Sequence, residues 1–172
     1  AASVLLITHS PHRISRIHQY VDGMIKEGVG GGYQVRQSVI GIGNGGLFGL
    51  GYSNGRQKYF YLPELHTDFI FSVISEEGGF AAVIGIALLY IILLIVGINV
   101  AKRAKDGYGR FVALGITICV VAQAIINISV ASGLVPAKGI PLPLISYGGS
   151  SVMSMMIMMG ILANILKKGE NK

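Results

Sequence analysis

The chain has 172 residues, of which 52% are hydrophobic and 13% are charged, and its mean hydropathy is +0.62. Soluble domains carry about 25% charged residues, so this composition excludes an ordinary soluble domain and indicates a membrane protein. The net charge of +6 does not indicate nucleic acid, because the basic residues flank apolar runs without a nucleic-acid-binding motif; membrane lipids are the expected partners.

The N-terminal part of the chain, up to residue 77, is predicted to lie mostly outside the membrane. We interpret the apolar residues 1–10 as the end of a transmembrane helix, and the chain as part of a larger protein. Residues 11–77 are predicted to form a large extracytoplasmic loop with a partly membrane-embedded helix. Eleven glycines lie between Gly28 and Gly55, and apolar residues such as Val39 and Leu47 alternate with them. This mixture favours a folded, partly membrane-embedded loop over a flexible linker.

The end of this loop gathers ionisable groups directly before a long apolar run. Glu64, His66 and Asp68 follow Pro63 within six positions. Ionisable groups at the mouth of a membrane span are costly near hydrocarbon, so they usually line a cavity or a substrate path. The alternative is a structural one, in which Glu64 or Asp68 forms a salt bridge with a nearby cation of the loop.

A polar stripe is predicted on the helix that follows. If Pro63 starts a helix that continues into the first span, helical spacing places five residues on one face. These residues are Asp68, Ser72, Ser75, Glu76 and Gly79. We expect a polar stripe on a helix that enters lipid to face a groove in the protein.

Three apolar runs without charged residues are long enough to cross a bilayer, which takes roughly 20 residues. They are residues 78–101, 111–135 and 146–166. The connection 102–110 and the tail 167–172 are rich in lysine and arginine, whereas the connection 136–145 has only Lys138. The positive-inside rule therefore places 102–110 and the C-terminus in the cytoplasm, and 136–145 outside. The predicted fold is an all-α polytopic membrane protein with three transmembrane helices, the tail of a fourth, and a large Gly-rich external loop.

The segment 133–151 is predicted to be irregular and to lie beside Asp68. Its three prolines forbid a regular helix. Irregular backbone at membrane depth is tolerated only where it is buried or lines a cavity, so we expect it to fold back against the Asp68 region. Four cations on this side, Arg36, Arg56, Lys58 and Lys138, are candidates for neutralising a pyrophosphate. A solvated basic surface is the alternative.

Two motifs resemble a known family. The first comprises Gln57-Lys58, Tyr61-Leu62-Pro63-Glu64, His66-Thr67-Asp68-Phe69-Ile70-Phe71 and Glu76-Glu77-Gly78; the second comprises Pro136 and the run from Lys138 to Ser151. Together they resemble the SEDS family (FtsW, RodA and SpoVE), and the first motif is closest to the FtsW/SpoVE branch. The resemblance runs from about Gly32 to Leu166 and concerns the C-terminal portion of the family.

The resemblance implies a peptidoglycan glycosyltransferase that polymerises lipid II at the outer face of the bacterial cytoplasmic membrane, for cell division or sporulation. The implied partners are a class B penicillin-binding protein, which is a transpeptidase, and other divisome or elongasome membrane proteins. Asp68 matches the family's essential aspartate, and the chemistry asks for a general base at the acceptor hydroxyl. The other expected site residues bind substrate: Arg56, Lys58, Glu64, His66, Lys138, Ser146 and Ser150.

A divalent cation, Mg²⁺ or Mn²⁺, is a further expectation, with Glu64 and His66 as residues that help to hold it. Two other functions stay open at this point. A lipid II flippase needs a polar path between the leaflets, for which the spans offer only Asn99, Gln123 and Asn127. A non-catalytic divisome scaffold needs helix faces but not Asp68. Alone, the chain is expected to be inactive, because half of its groove would be missing.

Overall fold

The computed structural model of the chain describes residues 15, 18, 20–25, 30, 32–51 and 68–170. These residues form helices, turns and loops, with no β-strand among them. The helices with defined bounds are α1 (Tyr33–Asn44), α2 (Ile70–Arg103), α3 (Gly107–Ala131) and α4 (Gly149–Glu170). Helices α2, α3 and α4 are long and apolar enough to cross a membrane, which confirms the predicted all-α polytopic fold. The expected helix end at 1–10 lies outside the described residues.

The helix ends differ from the predicted spans by several residues, as two of them illustrate. Helix α2 begins at Ile70, well before residue 78. Helix α3 ends at Ala131, because Gly133 adopts φ 74° and the amides of Gly133 and Leu134 turn back to the carbonyls of Val130 and Ser129. The membrane boundaries themselves stay predictions.

Helix α2 is the centre of the bundle and packs against α1, α3 and α4. Near its C-terminal end, Gly97 lies so close to Thr117 of α3 that a side chain at position 97 would collide with it. A core cluster of Val100, Ala101, Ala113 and Leu162 then joins α2, α3 and α4 at this end. Small residues at such crossings let helix backbones approach closely, which is how helices associate in membranes.

The Gly-rich loop is folded where the structure describes it. Helix α1 buries Val35, Ser38 and Gly41 on one face, and the Ser38 hydroxyl donates a 2.7 Å hydrogen bond to the carbonyl of Ala131 at the end of α3. The prediction of a folded loop is thus confirmed for residues 32–51. A helix at Tyr33–Asn44 was not predicted, because Gly41 and Gly43 have poor helix propensity. Packing against α2 and α3 overrides that propensity.

Helix α2 is broken at Gly79, whose φ of 65° is outside the helical region. The loop after α1 fills the break, since two amides of α2 donate to loop carbonyls and two loop amides donate to α2 carbonyls. These bonds join Phe80 to Gly46, Ala81 to Leu47, Leu50 to Glu76 and Gly51 to Glu77, with N···O distances between 2.9 and 3.3 Å. The backbone groups released by the break are therefore satisfied, as membrane burial requires.

Candidate functional site

Asp68 lies in the turn that precedes α2. Asp68 and Phe69 are not helical, and Phe69 is the N-cap of a helix that begins at Ile70. The expectation of an unbroken helix from Pro63 through Asp68 into the first span is therefore wrong. The turn places the half-buried Asp68 beside the loop between α3 and α4 rather than on the face of α2.

Asp68 and Lys138 line one cavity of about 370 Å³. The remaining walls are residues 32–35 at the start of α1, Phe69, Ala137 and Gly139. An alanine Cβ at position 139 would lie 3.2 Å from Oδ2 of Asp68, so the absence of a side chain at Gly139 lets the loop approach the carboxylate. The prediction that segment 133–151 folds back against the Asp68 region is confirmed.

Polar side chains of the spans hold this proline-containing loop in place. Asn127 Nδ2 donates to the Ile140 carbonyl at 2.7 Å, Gln123 Nε2 to the Pro141 carbonyl at 3.0 Å, and Tyr90 Oη to the Pro143 carbonyl at 2.6 Å. Prolines lack the amide needed for regular structure, so carbonyls nearby need other donors at membrane depth. The buried Leu142 packs in the core beneath these bonds.

Asn127 also holds Asp68 and was not predicted as a site residue. Its side chain is 2% exposed, and Nδ2 donates to the backbone carbonyl of Asp68 at 2.9 Å as well as to that of Ile140. One amide group therefore joins the turn that carries Asp68 to the loop that carries Lys138. The spacing between Asn127 and Asp68 in the sequence gives no sign of this contact.

The polar stripe of α2 is buried, as expected, but most of it lies away from the cavity. Ser72, Ser75 and Glu76 are at most 1% exposed. The Ser72 and Ser75 hydroxyls donate to carbonyls of the same turn, and a side chain at Gly45 would collide with the Ser75 carbonyl. These residues pack α2 against the loop after α1, so their role is to hold the fold around the cavity.

The two predicted serines do not line the Asp68 cavity. Ser146 is 4% exposed, and its Oγ accepts a 2.7 Å hydrogen bond from the amide of Leu142, which closes the turn before α4. Ser150 is exposed in the first turn of α4, and its carbonyl accepts a hydrogen bond from the Ser154 hydroxyl. Their assignment to substrate binding stays a prediction.

Four other predicted site residues, Arg56, Lys58, Glu64 and His66, lie outside the described residues. Among the residues that the structure describes, no group of three His, Cys, Asp or Glu side chains is placed to hold a metal. The described residues alone therefore do not fit a divalent-cation site, and the expectation of Mg²⁺ or Mn²⁺ with Glu64 and His66 stays a prediction.

The cavity combines an acid–base group with a cation. A half-buried carboxylate can accept a proton from a hydroxyl within hydrogen-bond reach. An exposed lysine can attract a phosphate group without fixing one geometry. Both groups lie at the end of the bundle where α2 begins and α3 ends, so a ligand with a lipid tail beside these helices can present a polar head to them.

Comparisons with known proteins agree on one family. Residues 1–171 match the FtsW/RodA/SpoVE family, described as cell cycle proteins. Stage V sporulation protein E of Bacillus subtilis is 48% identical over 160 residues, which cover 93% of this chain and 43% of that protein. A probable peptidoglycan glycosyltransferase FtsW of Trichlorobacter lovleyi is 46% identical over 162 residues, which cover 94% and 42%. The chain thus spans less than half the length of these relatives.

Solved structures share the fold. A chain from a study of how a peptidoglycan synthase complex coordinates polymerization and crosslinking matches with a TM-score of 0.71 and 29% identity; the match covers 99% of this chain and 46% of that one. A mutant of the rod shape determining protein RodA from Thermus thermophilus matches with a TM-score of 0.61 and 32% identity, over 78% of this chain and 41% of RodA.

Proposed function

The chain belongs to the FtsW/RodA/SpoVE family of cell cycle proteins, and on that premise we propose that it carries the catalytic carboxylate of a peptidoglycan glycosyltransferase. The proposed reaction is the polymerisation of lipid II for cell division or sporulation. The single observation that carries the proposal is the cavity in which Asp68 and Lys138 meet at the end of three span-length helices.

In the proposed mechanism, Asp68 is the general base. The hydroxyl oxygen of the acceptor sugar attacks the anomeric carbon of the donor, and its proton passes to the Asp68 carboxylate. The bond from the anomeric carbon to the pyrophosphate oxygen breaks, and undecaprenyl pyrophosphate leaves with the electron pair. A positioned base of this kind contributes about 10²- to 10⁴-fold in rate.

Lys138 is the proposed electrostatic partner of the leaving group. A lysine ammonium binds phosphate as a point charge and tolerates a moving ligand. Its place on the loop beside Gly139 keeps the cation in the same cavity as the base. Lys138 would therefore stabilise the negative charge that develops on the pyrophosphate, in the same cavity in which Asp68 accepts the proton of the acceptor hydroxyl.

The orientation and the partner belong to the same proposal. The lysine- and arginine-rich segments at 102–110 and 167–172 favour a cytoplasmic position, so the Asp68 cavity would open at the outer face of the bacterial cytoplasmic membrane. The structural relative comes from a complex that polymerises and crosslinks peptidoglycan, which supports a class B penicillin-binding protein as the partner. Crosslinking of peptidoglycan is the reaction that a transpeptidase catalyses.

The polar residues of α3 favour the polymerase over a flippase. Gln123 and Asn127 donate their side-chain amides to the loop carbonyls of Pro141 and Ile140. Groups committed to holding a loop are poor candidates for a polar path that a headgroup would follow between leaflets.

The test is glycan polymerisation from purified lipid II by the full-length protein with its partner transpeptidase. Asp68→Asn removes the base, and the matched control is Asp106→Asn, which removes a carboxylate at the opposite end but keeps a good N-cap for α3. We expect Asp68→Asn to lose about 10²- to 10⁴-fold in rate and Asp106→Asn to retain it. Equal polymer from Asp68→Asn would contradict the proposal, and lipid II transfer across vesicles without polymer would indicate a flippase.

A further inference from the structure

A second cavity, of about 530 Å³, lies at the opposite end of the bundle from Asp68. It is formed between the start of α3 and the last turns of α4. Lys105, Tyr108, Asn164 and Lys168 contribute polar groups to its lining, and Gly160 and Ile161 belong to the part of the lining on α4. None of these residues takes part in the proposed reaction.

The lining of this cavity changes along α4 from apolar to positively charged. Ile157, Ile161, Ile165 and Lys168 follow one another at helical spacing, so an apolar stripe ends in a cation at the end of the span. Lys105 lies in the short connection between α2 and α3 and lines the same end of the cavity. A ligand that fits this lining has an anionic head and an apolar body.

The charge at the mouth of the cavity is positive despite Asp106. The Asp106 carboxylate caps α3, where its Oδ2 accepts a 3.1 Å hydrogen bond from the amide of Gly109. The lining contains two lysines, Lys105 and Lys168, against this one carboxylate, so its formal charge is positive. Tyr108, which is 80% exposed, lies beside them, and aromatic residues with a polar tip are typical of the headgroup level of a membrane.

We propose that this cavity binds one anionic phospholipid of the leaflet at the lysine-rich end of the bundle. Lys105 and Lys168 hold the headgroup phosphate, Asn164 supplies a neutral hydrogen-bonding group beneath it, and an acyl chain follows the apolar wall of α4. Basic pockets between helices at this depth are a recurrent way in which membrane proteins bind anionic headgroups. This inference does not depend on the glycosyltransferase proposal.

The test is lipid retention measured by native mass spectrometry on the full-length protein in mixed phosphatidylglycerol and phosphatidylcholine nanodiscs. Lys105→Gln with Lys168→Gln removes the cations of the cavity. The matched control, Lys102→Gln with Lys167→Gln, removes the same charge from the same end at residues that do not line the cavity. Each lysine near an anionic surface is expected to contribute roughly a fivefold preference.

A steric variant separates the cavity from general surface charge. Gly160 lines the cavity and a Cβ there would meet nothing within 4 Å, so Gly160→Leu places an apolar side chain in the cavity from a position with open space. Gly115 has equally open space on α3 and does not line the cavity, so Gly115→Leu is its control. Thermal unfolding of all four variants identifies any loss of folding.

We expect a phosphatidylglycerol molecule to stay bound to the wild type, the Lys102/Lys167 control and Gly115→Leu. Retention should fall at least tenfold in the Lys105/Lys168 variant and in Gly160→Leu. Equal losses in the two lysine pairs would overturn the proposal in favour of diffuse attraction by the basic end. Absence of any preference for phosphatidylglycerol in the wild type would overturn it as well, because the cavity would then be filled by another part of the full-length protein.

Discussion

Replacement of Asn127 by leucine tests how the cavity is held together. Leucine has a similar size but no donor, so the carbonyls of Asp68 and Ile140 would both lose their bond to Nδ2. The turn before α2 and the loop before α4 would then be joined only by packing. We expect the Asp68 carboxylate to lose its fixed position relative to the cation on Lys138.

The magnitude follows from these two bonds and from one orphan atom. A side-chain hydrogen bond within a membrane protein contributes about 0.6 kcal/mol on average and at most about 1.7, so two bonds contribute roughly 1–3 kcal/mol. The Oδ1 atom of Asn127 is buried and accepts no hydrogen bond from the described residues. Leucine has no such buried, unpaired oxygen, so its desolvation cost disappears and offsets part of the free energy lost with the two hydrogen bonds. We therefore expect a net destabilisation of about 1–2 kcal/mol.

The effect on the reaction should exceed the effect on stability. A displacement of about 1 Å in a catalytic group can lower a rate by about 10²-fold, so we expect kcat of lipid II polymerisation to fall roughly 10- to 100-fold. The KM for lipid II should change little, because Asn127 does not line the cavity. The control is Asn99→Leu, which replaces an exposed asparagine of α2 and should leave both kcat and the unfolding temperature unchanged.

The assay measures kcat and KM of the full-length protein well below the unfolding temperature of the variant. A variant that unfolds about 1–2 kcal/mol more easily but polymerises lipid II at the wild-type rate would refute the reasoning. In that case the bonds from Asn127 stabilise the bundle and do not position Asp68.

Three further substitutions test other parts of the account. Gly139→Ala should lower kcat several-fold, because its Cβ would lie 3.2 Å from Oδ2 of Asp68, the proposed general base. Gly148→Ala in the same loop should leave kcat unchanged, because its nearest contact is an ordinary one at 3.5 Å. Gly79→Ala should lower the free energy of unfolding by more than about 2 kcal/mol, because φ of residue 79 is 65° and the inserted loop leaves no room for a Cβ. Gly85→Ala is the control: its Cβ would lie in open space, so thermal unfolding should show that it stabilises α2 by about 0.5–1 kcal/mol. Lys138→Gln should reduce the rate of polymerisation about tenfold. The loss should be smaller than that from removing a buried hydrogen-bond donor, because the Lys138 side chain is exposed. An unchanged rate would remove Lys138 from the mechanism.

Composition and pattern predict the membrane part of this fold well. Apolar runs of this length without a charge have few alternatives to spanning helices, because backbone groups in lipid must be paired within the segment. The same rule predicts that the proline-containing loop at 136–145 folds back against the Asp68 region. Both outcomes follow from the free-energy cost of leaving backbone N–H and C=O groups unpaired in lipid, which applies to any membrane sequence.

Tertiary packing decided the parts that the sequence did not predict. Helix α1 contains glycines that disfavour a helix, and contacts with α2 and α3 stabilise it nevertheless. The break at Gly79 depends on a distant loop that supplies its hydrogen bonds, so local periodicity predicted a continuous helix there. The link from Asn127 to Asp68 joins residues 59 positions apart, which no spacing rule can indicate.

The central claim is that Asp68 acts on the reacting hydroxyl, and one comparison tests it most directly. Lipid II binding and single-turnover polymerisation are measured side by side for the full-length wild type and Asp68→Asn, with the partner transpeptidase present. The account predicts binding within about threefold of the wild type and a turnover rate at least about 100-fold lower, since asparagine keeps the shape but cannot accept the proton. Wild-type turnover by Asp68→Asn, or a loss of turnover fully explained by lost binding, would contradict it.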